Sequence, residues 1–363
     1  MQMHDQIIRA WRIIRKNRVA RDFFSGCYYA LNNVGTRFND TFPFHYTYSV
    51  GMKTAKESGK TYCIIKWMPN FLGTFETWMW AAFMAMVALG DGYIPVVDLR
   101  EYQEDSNKIY KDFSEGKTNF WDIFFNQYQR EVSLEEVYQS GDYVVLSRIF
   151  YQEYVPTWAT YKPSQIIYES YRKMYQKMGI NRQVLHAIGE KELPKRTLGI
   201  TIRRNMEWGN RLGRPLYVGK VYHHARTHLQ AYERWISENL HCLGFDRFFV
   251  AADDRAAVEY FQEKFGEKCI CADRKLPRRF DGDRPLNIEI EAEKKVFYQE
   301  FSDDPAVRAK ETEMGYISET LLLSKCDALL PNRMTQEMMA RVMAEKNISL
   351  IDNDIFLDMF YWR

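Results

Sequence analysis

The sequence is poor in the patterns that announce the commonest chemistries. Its six cysteines, Cys27, Cys63, Cys242, Cys269, Cys271 and Cys326, include no Cys-x-x-Cys pair. Zinc-ribbon and thioredoxin-type sites are thereby excluded. Most of the six stand among apolar residues, as free thiols of a reducing compartment do. Cys269 and Cys271 would share one face of a strand, where core packing is expected rather than a disulfide. No Gly-x-x-x-x-Gly-Lys and no Gly-x-Ser-x-Gly occurs, which removes phosphate-loop hydrolysis and the serine-hydrolase elbow. The longest apolar run, Trp78 to Leu89, is shorter than the ~20 residues that cross a bilayer. No secretory signal is visible at the amino end, so the expected location is cytoplasmic. Fifty basic against 48 acidic residues leave a net charge of +2, without the one-sided field that a nucleic-acid partner requires. No repeat or low-complexity tract is present.

Metal signals are equally thin. No Asp-x-Asp stands between apolar residues. Asp281-Gly282-Asp283 has the spacing but lies in the charged run Arg274 to Arg284, expected to be a solvated loop. His223, His224 and His228 gather at a helix start, where His224 and His228 would share one face without a third ligand in view. A metal-free, cofactor-free protein is expected.

What is plentiful is aromatic: 15% of residues are Phe, Trp or Tyr. Rings suit the faces of sugars and also large cores, and the cores are the stronger reading. The chain is organised around Gly199-Ile200-Thr201-Ile202-Arg203-Arg204. A β-branched run predicts a buried strand that delivers two arginines to its carboxyl end, and a polar loop follows through Glu207. Open α/β sheets bind ligands at that edge. Two guanidinium forks there suit a diphosphate, or else pair with surface carboxylates. A second strand, Arg247 to Ala252, runs into Asp253-Asp254 and a helix from Arg255 to Phe265. One of the two aspartates is expected to cap that helix, and the other to hydrogen-bond a ligand group. Further on, Ser318 to Cys326 reads as helix and Asp327 to Leu330 as strand. A helix from Thr335 to Lys346 then begins on a hydroxyl, and helix amino ends favour anions.

In order and spacing, Ile-Arg-Arg, Ala-Ala-Asp-Asp and Leu-Leu-Leu-Ser-Lys-Cys-Asp, with a hydroxyl at a helix start, resemble the donor half of the fucosyltransferase superfamily. That group spans α-1,6-, nodulation and protein O-fucosyltransferases. The resemblance covers about 195 to 345, and more weakly 70 to 150, where Tyr93 to Asp98 is similar to the family's Pro-Val-Val-Asp strand. It implies a GT-B arrangement, an α/β fold of two Rossmann-like halves facing across a cleft. It also implies an inverting transfer from GDP-fucose, or another nucleotide sugar, to a glycan or lipid-linked glycan, the alternative being a catalytically inactive protein that binds a nucleotide sugar. The implied donor ligands are Arg203, Arg204, Asp253, Asp254, Glu319 and Thr335, with Gly73 at the family's glycine turn. Departures from the pattern stand at Thr201 for histidine, Ala252 for threonine, Asn205-Met206-Glu207 for residue-Asp-Lys, and Glu319 for an aspartate that contacts guanine in relatives.

The remaining expectations concern organisation. Residues 1–190 form a mainly acceptor-binding half and 191–345 a donor half; 346–363 add a strand and a helix that crosses back. The linker near Gly189 to Lys195 is polar and holds Gly and Pro. Thr61 to Trp67, a turn at Gly73 and a helix from Phe75 make a strand–turn–helix unit. In the aromatic segment Lys117 to Phe125, Asn119 and Asp122 either contact an acceptor sugar or belong to an anchored insertion. Glu207 is the candidate base beside Arg203, unless it is a surface carboxylate. Residues 7–24, basic and amphipathic, either dock on the protein or lie on an anionic membrane surface.

Overall fold

The computed structural model describes residues 46–50, 53–66, 73–100, 119–149, 165–202, 225–281, 284–287, 290–330 and 335–351. The first part begins with β1 (Tyr46–Tyr48), α1 (Ala55–Ser58) and β2 (Tyr62–Ile65). Then come α2 (Thr74–Gly90), β3 (Ile94–Val97), α3 (Phe120–Phe124), α4 (Leu134–Ser140), β4 (Tyr143–Ile149), α5 (Gln165–Met178) and α6 (Arg182–Ile188). The sheet order is β1-β4-β2-β3, parallel except where β1 meets β4. Cys63, Ile64 and Ile65 of β2 are buried, as expected of a parallel strand covered on both faces. Helix α2 is apolar almost all round, with Trp78, Met79, Ala82 and Ala85 buried, because it is enclosed rather than laid on a surface.

The second part follows a regular strand–helix alternation. It comprises β5 (Thr197–Ile202), α7 (Ala225–Asn239), β6 (Arg247–Ala252), α8 (Arg255–Phe265), β7 (Cys269–Cys271), the short pair β8 (Phe280–Asp281) and β9 (Arg284–Pro285), and α9 (Glu291–Phe297). It continues with α10 (Pro305–Lys325), β10 (Ala328–Leu330), α11 (Thr335–Met343) and β11 (Ser349–Leu350). The order β11-β10-β5-β6-β7 is parallel throughout. From β5 the chain steps outward through β6 and β7, then returns to the other side as β10 and β11. The direction reverses between β5 and β10, so a ligand crevice is expected outside their carboxyl ends.

The cores do not respect the two sheets. Trp78 and Met79 of α2 and Tyr171 and Met174 of α5 share one cluster with Ile317 of α10 and with Met338, Met339 and Val342 of α11. Helices α10 and α11 therefore cover the second sheet on one side and the first part on the other. A second cluster, with Ile200, Phe248, Phe261 and Leu330, fills the opposite face of the second sheet. Among the described residues, no helix is long and apolar enough to cross a membrane.

Candidate functional site

Strand β5 is buried along its whole length, and Ile202 pairs with Ala252, so the two strands end level. Asp253 then donates its N–H to the Ile202 carbonyl at 3.3 Å. The next residues after Ile202, including Arg203, Arg204 and Glu207, lie outside the described residues, as do residues 7–24 and the segment 346–363 beyond Ile351. The described side chains around that edge form a dense polar network.

Its centre is the first turn of α11, where three consecutive residues reach three different elements. Thr335 donates its hydroxyl to Glu76 of α2 at 2.9 Å. Gln336 donates to Glu319 at 2.9 Å and to Thr320 at 3.1 Å, both on α10. Glu337 accepts the hydroxyl of Thr201 on β5. All three are buried. Thr201, which departs from the histidine of the family pattern, is thus the tie between β5 and α11.

Glu319 corrects one expectation. Its side chain is 1% exposed. One oxygen accepts the Ala252 N–H at 3.2 Å; the other accepts Arg274 at 3.0 Å and Gln336 at 2.9 Å. A carboxylate enclosed by three donors braces β6, α10 and α11 together and presents no free edge to a base. The hydroxyl of Thr335 is likewise engaged, on Glu76 of α2. Gly73 is the N-cap of α2 in ordinary extended backbone (φ −73°), and its N–H donates to Glu76 at 3.0 Å. It is a helix cap rather than a turn that needs glycine.

The side-chain cap expected of Asp253 or Asp254 is not made at the N-cap of α8. Asp254, fully buried, sits at the N-cap of α8 without capping it. Its carboxylate instead accepts the Arg279 N–H at 2.9 Å. Asp253 stays 14% exposed at the carboxyl end of β6. The charged run from Arg274 is not a solvated loop, which is a second correction. The Arg274 side chain, 8% exposed, donates to the Ala252 carbonyl (2.5 Å) and to Glu319. Arg279 folds back so that its Nε donates to the Asp253 carbonyl at 2.7 Å, with its guanidinium over the Phe297 ring at 5.2 Å. The loop roofs the ends of β6 and α8.

The end of β3 carries a second polar region. Asp98 is buried and held by Arg100 (3.0 Å) and by the Tyr138 hydroxyl (2.6 Å). Burial pushes its carboxyl up, but the hydrogen bonds outweigh this and keep it below the usual carboxylate range. Asn119 is buried as the N-cap of α3 and joins the Val97 carbonyl, the Leu99 N–H and Asp122. Its amide is committed to structure, so the acceptor role expected of Asn119 is corrected to an anchoring one. Asp122 is exposed. A groove of about 480 Å³ opens beside it, lined by Arg100, Asn119, Asp122, Glu135, Gln183 and, from α10, Lys310. Among the described residues, Gln183 and Lys310 have no side-chain partner. Sequence reasoning missed both, because a lone exposed Gln or Lys carries no local signal.

Between the two regions lies Glu313 of α10, 6% exposed and hydrogen-bonded to Thr74. Burial raises its carboxyl to about 7, despite the opposing Arg274 charge. Among the described residues, no cluster of His, Cys, Asp or Glu is placed to hold a metal.

No known family profile matches the chain, and no curated protein matches it. Solved structures do. The chain is similar to an α-1,6-fucosyltransferase, NodZ, whose crystals were soaked with GDP-fucose: 12% identity, TM-score 0.41, covering 78% of this chain and 93% of that one. NodZ from Bradyrhizobium matches at 10% identity and TM-score 0.41, covering 78% and 94%. The apo form of POFUT1 matches at 10% identity and TM-score 0.30, covering 80% and 74%.

Proposed function

We propose that the chain is an inverting GT-B glycosyltransferase that transfers fucose from GDP-fucose to a glycan acceptor, in the making of a surface polysaccharide or glycoconjugate. One observation carries the reading. The Arg203-Arg204 pair follows directly on the central strand, at the point where the strand order of a parallel sheet reverses. Residues 191–345 are the donor half, 1–190 the mainly acceptor-binding half, and 346–363 the crossing tail.

The chemistry needs a cradle for the departing diphosphate, a base and exclusion of water. Arg203 and Arg204 neutralise the diphosphate. Asp253, partly exposed where β6 ends, takes a ribose hydroxyl. An acceptor hydroxyl attacks the anomeric carbon from the face opposite the diphosphate. As the C–O bond forms, the bond to the β-phosphate oxygen breaks, GDP leaves, and the hydroxyl proton passes to Glu207. Lys310, Gln183 and Asp122 offer an acceptor sugar a donor, an amide and a carboxylate in the groove by β3. No metal or cofactor takes part. Residues 7–24 bring a cytoplasmic enzyme to the membrane surface where a lipid-linked acceptor lies.

A different nucleotide sugar is the second reading, favoured by the burial of Glu319, which leaves the family's base-contacting position closed. The deciding measurement is hydrolysis and transfer of radiolabelled GDP-fucose, with UDP-, ADP- and CMP-sugars in parallel, with and without EDTA. Turnover that survives EDTA and falls at least about a hundredfold in Glu207→Gln supports the proposal. Full turnover in Glu207→Gln removes the base, and loss of activity in EDTA restored by manganese removes the metal-free mechanism.

A further inference from the structure

Burial of Glu319 leaves the donor's base without a reader, and the roof loop supplies one. Arg279 is anchored at three points: its N–H on Asp254 (2.9 Å), its Nε on the Asp253 carbonyl (2.7 Å) and its guanidinium on the Phe297 ring (5.2 Å). Its Nε also stands 3.8 Å from the Asp253 carboxylate. Neither terminal nitrogen has a hydrogen-bond partner among the described residues, and the side chain is 26% exposed. A fork of donors is thus held in place on a side chain that stays partly exposed.

Position says what the fork faces. In a doubly wound sheet the diphosphate sits at the end of the first strand. An acidic side chain at the end of the neighbouring strand holds the ribose, so the nucleoside extends that way. Here the first strand is β5, the neighbour is β6 and the acidic side chain is Asp253. Arg279 lies beside Asp253, its Nε on the Asp253 carbonyl where β6 ends. The adjacent carboxylate weakens its hold on a phosphate and leaves a directional pair of N–H groups. Guanine presents two acceptors side by side, O6 and N7, to such a fork. Adenine presents one acceptor and one donor, and the pyrimidines offer no such pair.

We infer that Arg279 is the residue that selects the donor's base, by reading the O6 and N7 edge of guanine. This rests on the nucleotide-sugar reading above and supplies the base recognition that Glu319 does not. The test is calorimetric binding of GDP, IDP, 7-deaza-GDP, ADP and UDP to the full chain. IDP keeps both acceptors and lacks only the 2-amino group, whereas 7-deaza-GDP lacks N7. Wild type is expected to bind IDP as well as GDP, and 7-deaza-GDP and ADP about tenfold or more weakly. Those comparisons need no variant. In Arg279→Gln, GDP should fall toward the affinity of ADP, and 7-deaza-GDP, which loses only the O6 contact, should fall by less.

Equal binding of GDP and 7-deaza-GDP by the wild type overturns the inference. So does an equal loss of GDP, ADP and UDP in Arg279→Gln, which would make Arg279 a phosphate ligand. Tighter binding of UDP or ADP than GDP overturns it while leaving a glycosyltransferase with another donor. Binding of no nucleoside diphosphate removes the functional reading as well.

Discussion

Gly199 sets how closely the central strand lies against its neighbours. A Cβ built there would stand 2.5 Å from Cδ2 of Leu329 and 3.0 Å from both Sγ of Cys326 and Cδ2 of Leu323. All three belong to a packed, buried layer with no room to retreat. Gly199→Ala is therefore expected to destabilise the protein by about 1–3 kcal/mol. The check is chemical denaturation, and an unchanged midpoint would mean that the layer is looser than it is drawn. Glu313 makes a prediction of opposite sign. Its folded carboxyl titrates at about 7 against an ordinary 4.5, so the folded chain holds a proton that the unfolded chain has released. That contribution to stability is whole below 4.5 and fades as the pH rises through 7. Glu313→Gln, neutral at every pH, should leave stability near pH 4 little changed and raise it at pH 8 by up to about 3 kcal/mol. Parallel pH profiles of wild type and variant would refute the assignment.

At the scale of elements, α11 is where the sequence was least legible. The strands β2, β3, β5, β6 and β10 were readable as β-branched or apolar runs bounded by polar residues, because a buried strand must be apolar on both faces. Helices α2 and α8 were readable as apolar-rich runs that follow a glycine turn and an Asp-Asp pair. The partners of Thr335, Gln336 and Glu337 were not. Thr335 meets Glu76 across 259 positions and Thr201 meets Glu337 across 136, and no local pattern encodes such pairs. The roof loop misled for the same reason: a run of arginines is solvated unless carboxylates and carbonyls far away in sequence come to meet it, as Glu319 meets Arg274. The ordering of α11 by its first turn can be measured. Gln336→Ala removes one of the three donors of Glu319 and leaves a buried carboxylate oxygen under-satisfied, at a cost of about 1–3 kcal/mol. In a double-mutant cycle with Glu319→Gln the two losses should be less than additive, because both act on the same bond. Strict additivity would show that the contact carries no energy.

For the whole molecule the question is whether the two sheets stand or fall together. Met338, Met339 and Val342 of α11 are packed in the same core as Trp78 of α2 and Tyr171 of α5. Arg172 of α5 reaches the far end of α11, donating to the Arg341 carbonyl at 3.0 Å and to Asn347 at 2.9 Å, where a helix leaves carbonyls without partners. Arg341 lies over the Tyr168 ring at 3.8 Å. Helix α11 cannot leave the first part without exposing this core, nor leave the second sheet without unsealing Leu329 and Ala340 from their shared layer. Unfolding is therefore expected as one transition, with equal calorimetric and van't Hoff enthalpies. Met339→Ala, which empties a fully buried site in the shared core, should lower that single transition by about 2–5 kcal/mol without splitting it. Two resolved peaks in wild type, or a variant that melts the first part alone, would show that the halves are independent and that α11 rests on α2 and α5 without binding them. A single peak would mean that any opening of the site happens in its loops, because α11 joins the floor of the proposed crevice to the opposite half.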